Sequence, residues 1–372
     1  MRKIRVLIAD DEVLIRRMIS EVLEEEGLQV AGIAANSSLA LAKIPQVNPD
    51  LILLDLEFDG LTGLQTLIDI RKTYPVLPVI MLGSMKEKTV NLAMEALALG
   101  AHDYVTLPSS ASGNTAKNSL RQNLIPKVKT FCKYGNLDEA PAASIKKNRS
   151  NAFSTSISTP VRAKPPKIKT TKPQRIDILA IGVSTGGPNA LAQLLPELPK
   201  DFPVPIVIVQ HMPPYFTTLL AKRLDEKSAI GVREAATGDI LKPGQALLAP
   251  GDFHMVVKRN GGQAYIQTNQ APPENSCRPA VDVLFRSVVE VYGANTLAVI
   301  LTGMGQDGLR GCEMVYDANG QILVQDEKSS VVWGMPGFVS KAGLADRVLP
   351  LNQIGIEITK KAREGRTEFV SA

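Results

Sequence analysis

Cysteine, histidine and tryptophan are all scarce in this chain, at three, three and one among 372 residues. Cys132, Cys277 and Cys312 are odd in number and widely scattered, so no spacing suggests a zinc site or a disulfide scaffold, and a reducing compartment fits. Long apolar runs are missing as well. A run such as 176–181, broken by Asp177, is strand-sized and far short of the ~20 residues that cross a bilayer. The opening MRKIRVLIADD enters a strand with no apolar signal segment ahead of it. These absences predict a soluble, cytoplasmic protein with no membrane insertion. A nucleic-acid signature is also lacking, although the net charge is +5. Residues 126–175 hold 12 Lys or Arg against 2 Asp or Glu, whereas 1–125 hold 12 against 15 and 176–372 hold 18 against 20. Basicity confined to one stretch, without aromatic or zinc-finger patterning, reads as a solvated tether or a contact for an acidic surface rather than a nucleic-acid face.

What is present is ample core material: 44% of residues are apolar and 21% charged, enough for two or three domains. In residues 1–125 short apolar runs at 5–9, 30–34, 51–54, 79–82 and 103–105 alternate with helical patterns at 13–26, 38–43, 63–74 and 89–99. A weakly patterned helix falls within 113–125. Five strands with intervening helices predict a (βα)5 domain around a parallel sheet. Residues 126–175, with SISTPVRAKPPKIKTTKP, read as a flexible basic linker that cannot bury enough surface to order itself. Structure resumes at 176 and runs to about 365. Strands are expected at 176–181, 204–209, 245–249, 255–259, 264–267, 297–301 and 322–324. Helices are expected after Pro188 and at 216–227, 281–291 and 309–317. The Lys258-Arg-Asn-Gly-Gly stretch marks a hairpin. The second half is therefore a doubly wound, mostly parallel α/β domain with a small antiparallel excursion.

Two clusters of strand-end residues carry chemistry. Asp10 and Asp11 follow the first strand and Asp55 the third, on the sheet edge where α/β folds bind ligands. Three carboxylates there suit Mg2+, and Asp55, ending a central strand, suits a phosphoryl acceptor. The other reading is that such acids cap helices, as Asp11 could ahead of Val13. In the second half, Gly182-Val-Ser-Thr-Gly-Gly-Pro188 joins a buried strand to a helix. It could cradle a phosphate or present Ser184 as a nucleophile beside backbone amides. It lacks the lysine of a P-loop and the second glycine of a dinucleotide loop. His211 and Asp307 also follow apolar strands, so nucleophile, base and orienting acid could meet on one edge. Taken singly, Ser184 reads as a helix-start residue, His211 as a packed histidine and Asp307 as a helix cap. His254, in APGDFHM, is a rival base, with a structural or substrate-lining role ranked ahead of that one.

Residues 1 to about 125 resemble the response-regulator receiver domain, on IRVLIADDEVLIRRMI, PDLILLDLEFDGLTGLQTL, LPVIM and LALGAHDYV. The resemblance implies metal binding at Asp10, Asp11 and Asp55 with the backbone carbonyl of Glu57, and phosphorylation of Asp55. Three departures accompany it. Gly83, followed by Ser84, stands where the family has Ser or Thr. Leu107 stands where it has Lys before the Pro of the last loop. Phe58-Asp59 replaces the usual Met-Pro. Loss of a cation facing the phosphoryl group predicts weak or unusual switching.

Residues 176–352 resemble the catalytic domain of the chemotaxis protein-glutamate methylesterase, on AIGVSTGGPNALAQLLPELP, PIVIVQHMP, LLAPGDFHM, RPAVDVLFRSV, ILTGMGQDGLRG and DEKSSVVWGMPGFVSKAGLADRVLPL. It implies Ser184 as nucleophile, His211 as base and Asp307 as acid, with Thr185, Gly186 and the Met304 amide in the same pocket. Gln306 takes a position generally held by Asn. The implied activity is hydrolysis of glutamate γ-methyl esters, and deamidation of glutamines, on chemoreceptor helices, with no cofactor for hydrolysis and Mg2+ for receiver phosphorylation. Implied partners are methylated chemoreceptor helices and a sensor histidine kinase, for a monomer whose receiver covers the catalytic mouth until phosphorylated. The alternatives are a two-domain signalling scaffold and a serine esterase acting outside chemotaxis.

Overall fold

A computed structural model describes residues 2–58, 63–108, 113–134, 174–364 and 366. Most of the expected linker, and Asp59 of the Phe58-Asp59 departure, lie outside these residues. The N-terminal domain runs β1 (Arg5–Ala9), α1 (Val13–Glu25), β2 (Gln29–Ala34), α2 (Ser37–Val47), β3 (Leu51–Asp55), α3 (Gly63–Thr73), β4 (Val79–Gly83), α4 (Glu87–Ala98), β5 (Asp103–Thr106) and α5 (Asn114–Tyr134). Its sheet is parallel, in the order β2-β1-β3-β4-β5. One face of α1 is buried, at Ile15, Met18, Ile19, Val22 and Leu23. The helix stops at Gly27, whose φ of +76° only glycine adopts cheaply.

Two helices run further than expected, and both pass through a proline. α2 continues past Lys43 across Pro45, and α5 continues past 125 across Pro126. Proline removes one helical hydrogen bond, but packing outweighs that loss. Ile44 is buried in α2, and Val128, Phe131 and Cys132 are buried in α5. The N-terminal domain therefore includes residues 126–134, which were expected to open the linker.

The C-terminal domain runs β6 (Ile178–Val183), α6 (Gly187–Leu194), β7 (Ile206–Gln210), α7 (Phe216–Lys227), β8 (Gly231–Glu234), β9 (Gln245–Leu248), β10 (His254–Asn260), β11 (Gln263–Asn269), α8 (Val281–Tyr292), β12 (Thr296–Ile300), α9 (Leu309–Asp317), β13 (Gln321–Gln325), α10 (Met335–Lys341), β14 (Arg347–Leu349) and α11 (Leu351–Glu364). Seven strands pair in parallel in the order β14-β13-β12-β6-β7-β9-β8, and β10–β11 form the expected hairpin. Side chains of β6 alternate between two cores: Leu179, Ile181 and Val183 face one, Ile178 and Ala180 the other. Helices therefore cover both faces, as a doubly wound sheet requires. The chain runs from β6 to β7 on one side and later returns to β12 on the other. The carboxyl ends of β12, β6 and β7 accordingly flank a topological switch point, where such folds place their sites. β8, α10, β14 and α11 were not expected from the sequence.

The two domains touch. Tyr104 of β5 stacks on Phe216 of α7 at 4.2 Å between ring centroids. Asn189 Nδ2 donates to the Leu97 carbonyl at 2.7 Å, and Arg223 donates to the Met94 carbonyl at 2.6 Å. Among the described residues no helix is long and apolar enough to cross a membrane.

Candidate active site

Parallel pairing of β6 with β7 puts Val183 opposite Gln210, so Ser184 and His211 leave the sheet side by side. The His211 amide donates to the Val183 carbonyl at 3.2 Å, and the Ser184 amide donates to the Thr302 carbonyl beyond β12 at 3.0 Å. The serine loop turns through Gly186, at φ +79°, into α6. Gly187 is required by crowding: a Cβ there would lie 1.9 Å from Gln210 Oε1. Gln210 Nε2 donates to the Ser184 carbonyl at 2.9 Å, bracing the loop from the neighbouring strand. Ser184 Oγ makes no hydrogen bond among the described residues. The amides of Thr185, Gly186 and Met304 likewise donate to no acceptor among them, which leaves them available to an oxyanion.

His211 Nε2 lies 2.7 Å from Asp307 Oδ2. Asp307 is 2% exposed. Its Oδ2 also accepts the Val281 amide at 2.6 Å, and its Oδ1 accepts the Asp282 and Gly308 amides at 3.0 Å each and Asn275 Nδ2 at 2.9 Å. Burial works to raise this carboxyl. The His211 hydrogen bond and charge, with the Val281 and Asp282 amides, outweigh burial and hold it below the usual range. Burial alone would lower the His211 imidazole, but the bond to Asp307 and the contact with Cys277 raise it above the ordinary value. The second ring nitrogen, Nδ1, lies 3.7 Å from Cys277 Sγ. His254 stands apart from this group: it is buried, and its Nε2 lies 3.0 Å from the Pro272 carbonyl.

The N-terminal domain reaches into the same place. Thr185, next to Ser184, donates its hydroxyl to Asp103 Oδ2 at 3.1 Å. Asp103 is in turn paired with Lys127 at 2.7 Å. Thr130 Oγ1 meets Met304 Sδ at 3.1 Å, and Leu107, Met304 and Val332 share one apolar cluster with α1 and α5. Leu107, in the slot where the receiver pattern has lysine, thus packs against a cluster that also includes Val332 of the other domain. The contacts between the domains were not legible in the sequence, because each joins side chains far apart in the chain.

In the acidic cluster Asp10 is buried, while Asp11 is exposed. Burial, then the neighbouring acids, push Asp10 up to about 6 against the opposing Glu12 amide. Asp55 is pushed up to about 7 by burial first and the Asp10 charge second, opposed by the Glu57 amide. Among the described residues no group of three or more His, Cys, Asp or Glu side chains is arranged to hold a metal ion. At Gly83 a Cβ would lie 2.7 Å from both Leu56 Cδ1 and Thr89 Cγ2, so methyl groups stand where the expected hydroxyl residue would place its Cβ. Ser84 Oγ lies 3.0 Å from Thr89 Oγ1.

A parallel (βα)5 domain with an acidic strand edge, joined to a doubly wound domain with serine, histidine and aspartate at three strand exits, defines a response regulator with a hydrolase effector. The comparisons with known proteins agree. Residues 6–114 match the response regulator receiver domain and residues 179–358 match CheB methylesterase. The chain is 50% identical over 363 residues to the protein-glutamate methylesterase/protein-glutamine glutaminase of Trichodesmium erythraeum, covering 97% of this chain and 99% of that protein. It is 40% identical over 371 residues to the protein of the same name from a Nocardioides species, covering 99% and 98%. The crystal structure of the Thermotoga maritima CheB methylesterase catalytic domain is similar, at 45% identity and a TM-score of 0.49, covering 50% of this chain and 98% of that one. The chain belongs to the protein-glutamate methylesterase/protein-glutamine glutaminase family.

Proposed function

We propose that the protein hydrolyses glutamate γ-methyl esters, and deamidates glutamines, on chemoreceptor cytoplasmic helices through Ser184, His211 and Asp307. The observation that carries this reading is the His211–Asp307 bond, formed beside Ser184 at adjoining strand exits. Asp307 fixes the proton on Nε2, which leaves Nδ1 to accept the Ser184 proton as Oγ attacks the ester carbonyl. Nδ1 faces Cys277 Sγ at 3.7 Å in the structure, so the proposed step includes rotation of the Ser184 side chain toward that nitrogen. Amides of Thr185, Gly186 and Met304 receive the oxyanion. Methanol leaves with the proton from His211, and water then releases the carboxylate by the same route. Glutamine follows with ammonia as the leaving group. Methanol release from a methylated receptor helix, compared with a free glutamate methyl ester, tests the substrate: preference for the helix is expected, and equal rates would point to an esterase outside chemotaxis.

The N-terminal domain, 1–134 by its helix, is read as the regulator of residues 176–365 and as the partner of a sensor histidine kinase; the whole is read as a cytoplasmic monomer. Asp55 is the proposed phosphoacceptor. The oxygen donor set of Asp10, Asp11 and Asp55 with the Glu57 carbonyl fits Mg2+ in its chemistry, because a bound cation would offset the burial, and after it the mutual repulsion, that raise Asp10 and Asp55. Bound there, the ion would neutralise charge on the phosphoryl group.

The contacts Asp103–Thr185, Thr130–Met304 and Tyr104–Phe216 support a receiver that restrains the catalytic mouth. Gly83 and Leu107 weaken its link to Asp55. Methanol release by the full chain is therefore expected to rise less with a small phosphodonor than with Tyr104→Ala, which removes the interdomain stack. A phosphodonor response exceeding that of the variant would contradict the weakened link.

A further inference from the structure

Asp307 does not sit alone in its buried site. Asp282, in the first turn of α8, is 3% exposed, and one amide side chain connects the two acids: Asn275 Nδ2 donates to Asp307 Oδ1 and to Asp282 Oδ2, each at 2.9 Å. Asp282 Oδ1 accepts the Gly311 amide at 2.7 Å from α9. Two like charges this close and this buried repel, and one of them tends to take a proton. Burial, then the Asp307 charge, push Asp282 up to about 6. An amide nitrogen has two protons and no charge, so it can give one to each carboxylate at once.

The backbone is bent to deliver this group. Asn275 and Ser276 both have left-handed φ, +52° and +62°. That conformation is uncommon outside glycine and costs energy in a serine. The turn is closed by the Cys277 amide on the Glu274 carbonyl at 2.8 Å and by the reverse bond at 3.2 Å. Its other end puts Cys277 against His211 Nδ1. One strained turn therefore touches both ends of the His211–Asp307 pair. Arg286, paired with Glu274 at 2.5 Å, and Arg310, paired with Glu313 at 2.8 Å, are the cations whose charges reach Asp282. Neither bonds Asp282 or Asp307, so the side chain that donates to both acids is that of Asn275.

We infer that Asn275 is a positioning residue for hydrolysis, a neutral bridge that lets Asp282 and Asp307 share one buried site with Asp307 ionised and aimed at His211. The inference rests on the reading of Ser184, His211 and Asp307 as the catalytic group. Without the bridge, the two acids take up a shared proton as pH falls, and Asp307 loses its hold on the imidazole.

The test measures methanol release from a methylated receptor helix by the full chain carrying Asn275→Ala. The kcat is expected to fall ~10²-fold with KM nearly unchanged, as for a misaligned catalytic group. The ratio of rates at pH 6 and pH 8 should drop several-fold below that of the parent protein. Adding Asp282→Asn, which removes the second carboxylate, should restore most of the kcat and the parent pH profile. A wild-type pH profile in Asn275→Ala, or no rescue by Asp282→Asn, overturns the inference. Asn275→Ser, which keeps a small turn-forming side chain, replaces Asn275→Ala if that variant does not fold, and the same outcomes apply. Ser184→Ala measured alongside separates the two readings: full activity in it would defeat the catalytic assignment itself, whereas its inactivity beside an unaffected Asn275→Ala defeats only the bridge.

Discussion

Ser184→Ala is expected to lower kcat for methanol release by about 10³- to 10⁶-fold while leaving KM and the melting temperature close to those of the parent. The split follows from what the side chain touches. Ser184 Oγ makes no hydrogen bond among the described residues, so its removal breaks nothing that holds the loop. The loop is held by the Ser184 amide on Thr302, by Gln210 on the Ser184 carbonyl and by the Gly187 amide on the same carbonyl at 2.8 Å. All of these are backbone contacts of residue 184 and survive the substitution. Stability should change by no more than about 0.5 kcal/mol. Parallel steady-state kinetics and thermal melts check both halves. A variant that loses activity only in proportion to its unfolding would point to a structural role.

Asp307→Asn should cost about 10⁴-fold in kcat and, unlike the serine variant, should also destabilise the fold. Asp307 accepts from His211, from the Val281, Asp282 and Gly308 amides and from Asn275. A carboxamide has one acceptor oxygen and turns its NH2 toward donors, so at least one buried donor loses its partner at a cost of about 1–3 kcal/mol. The pH dependence provides the sign. Asp307 raises the imidazole of His211, and the base form is the neutral one. In the parent, kcat/KM should therefore rise with pH through a midpoint above the ordinary ~6.5. In Asp307→Asn the midpoint should move down, because burial is then opposed only by the Cys277 contact. An unmoved midpoint would separate the measured ionisation from the His211–Asp307 pair.

Much of this arrangement was legible in the sequence because it is set by strand exits. Apolar runs marked β6, β7 and β12, and in parallel strands the residue following each run must emerge on the same edge; Ser184 and His211 do so in register. Helix ends were read less well where proline intervened. The expected helices ended at 43 and 125, just before Pro45 and Pro126, and the buried faces of Ile44, Val128 and Phe131 carried both helices onward. The β14 strand escaped notice because two of its three residues, Arg347 and Val348, are exposed, so no apolar run marked it. Asn275 was illegible for a different reason. Its value comes from a left-handed turn built on non-glycine residues, which composition does not signal, and from two acids 7 and 32 residues away. The interdomain contacts of Asp103, Tyr104 and Thr130 have no local pattern at all.

The central claim is that Ser184 is the nucleophile and His211 its base. The most direct measurement is labelling of the full chain with a serine-reactive phosphonate ester, followed by peptide mass spectrometry. The expected result is one adduct on Ser184, lost in His211→Ala, with methanol release declining in step with labelling. Methanol release that persists with Ser184 fully labelled, or inactivation with the adduct on another residue such as Cys277, would contradict it.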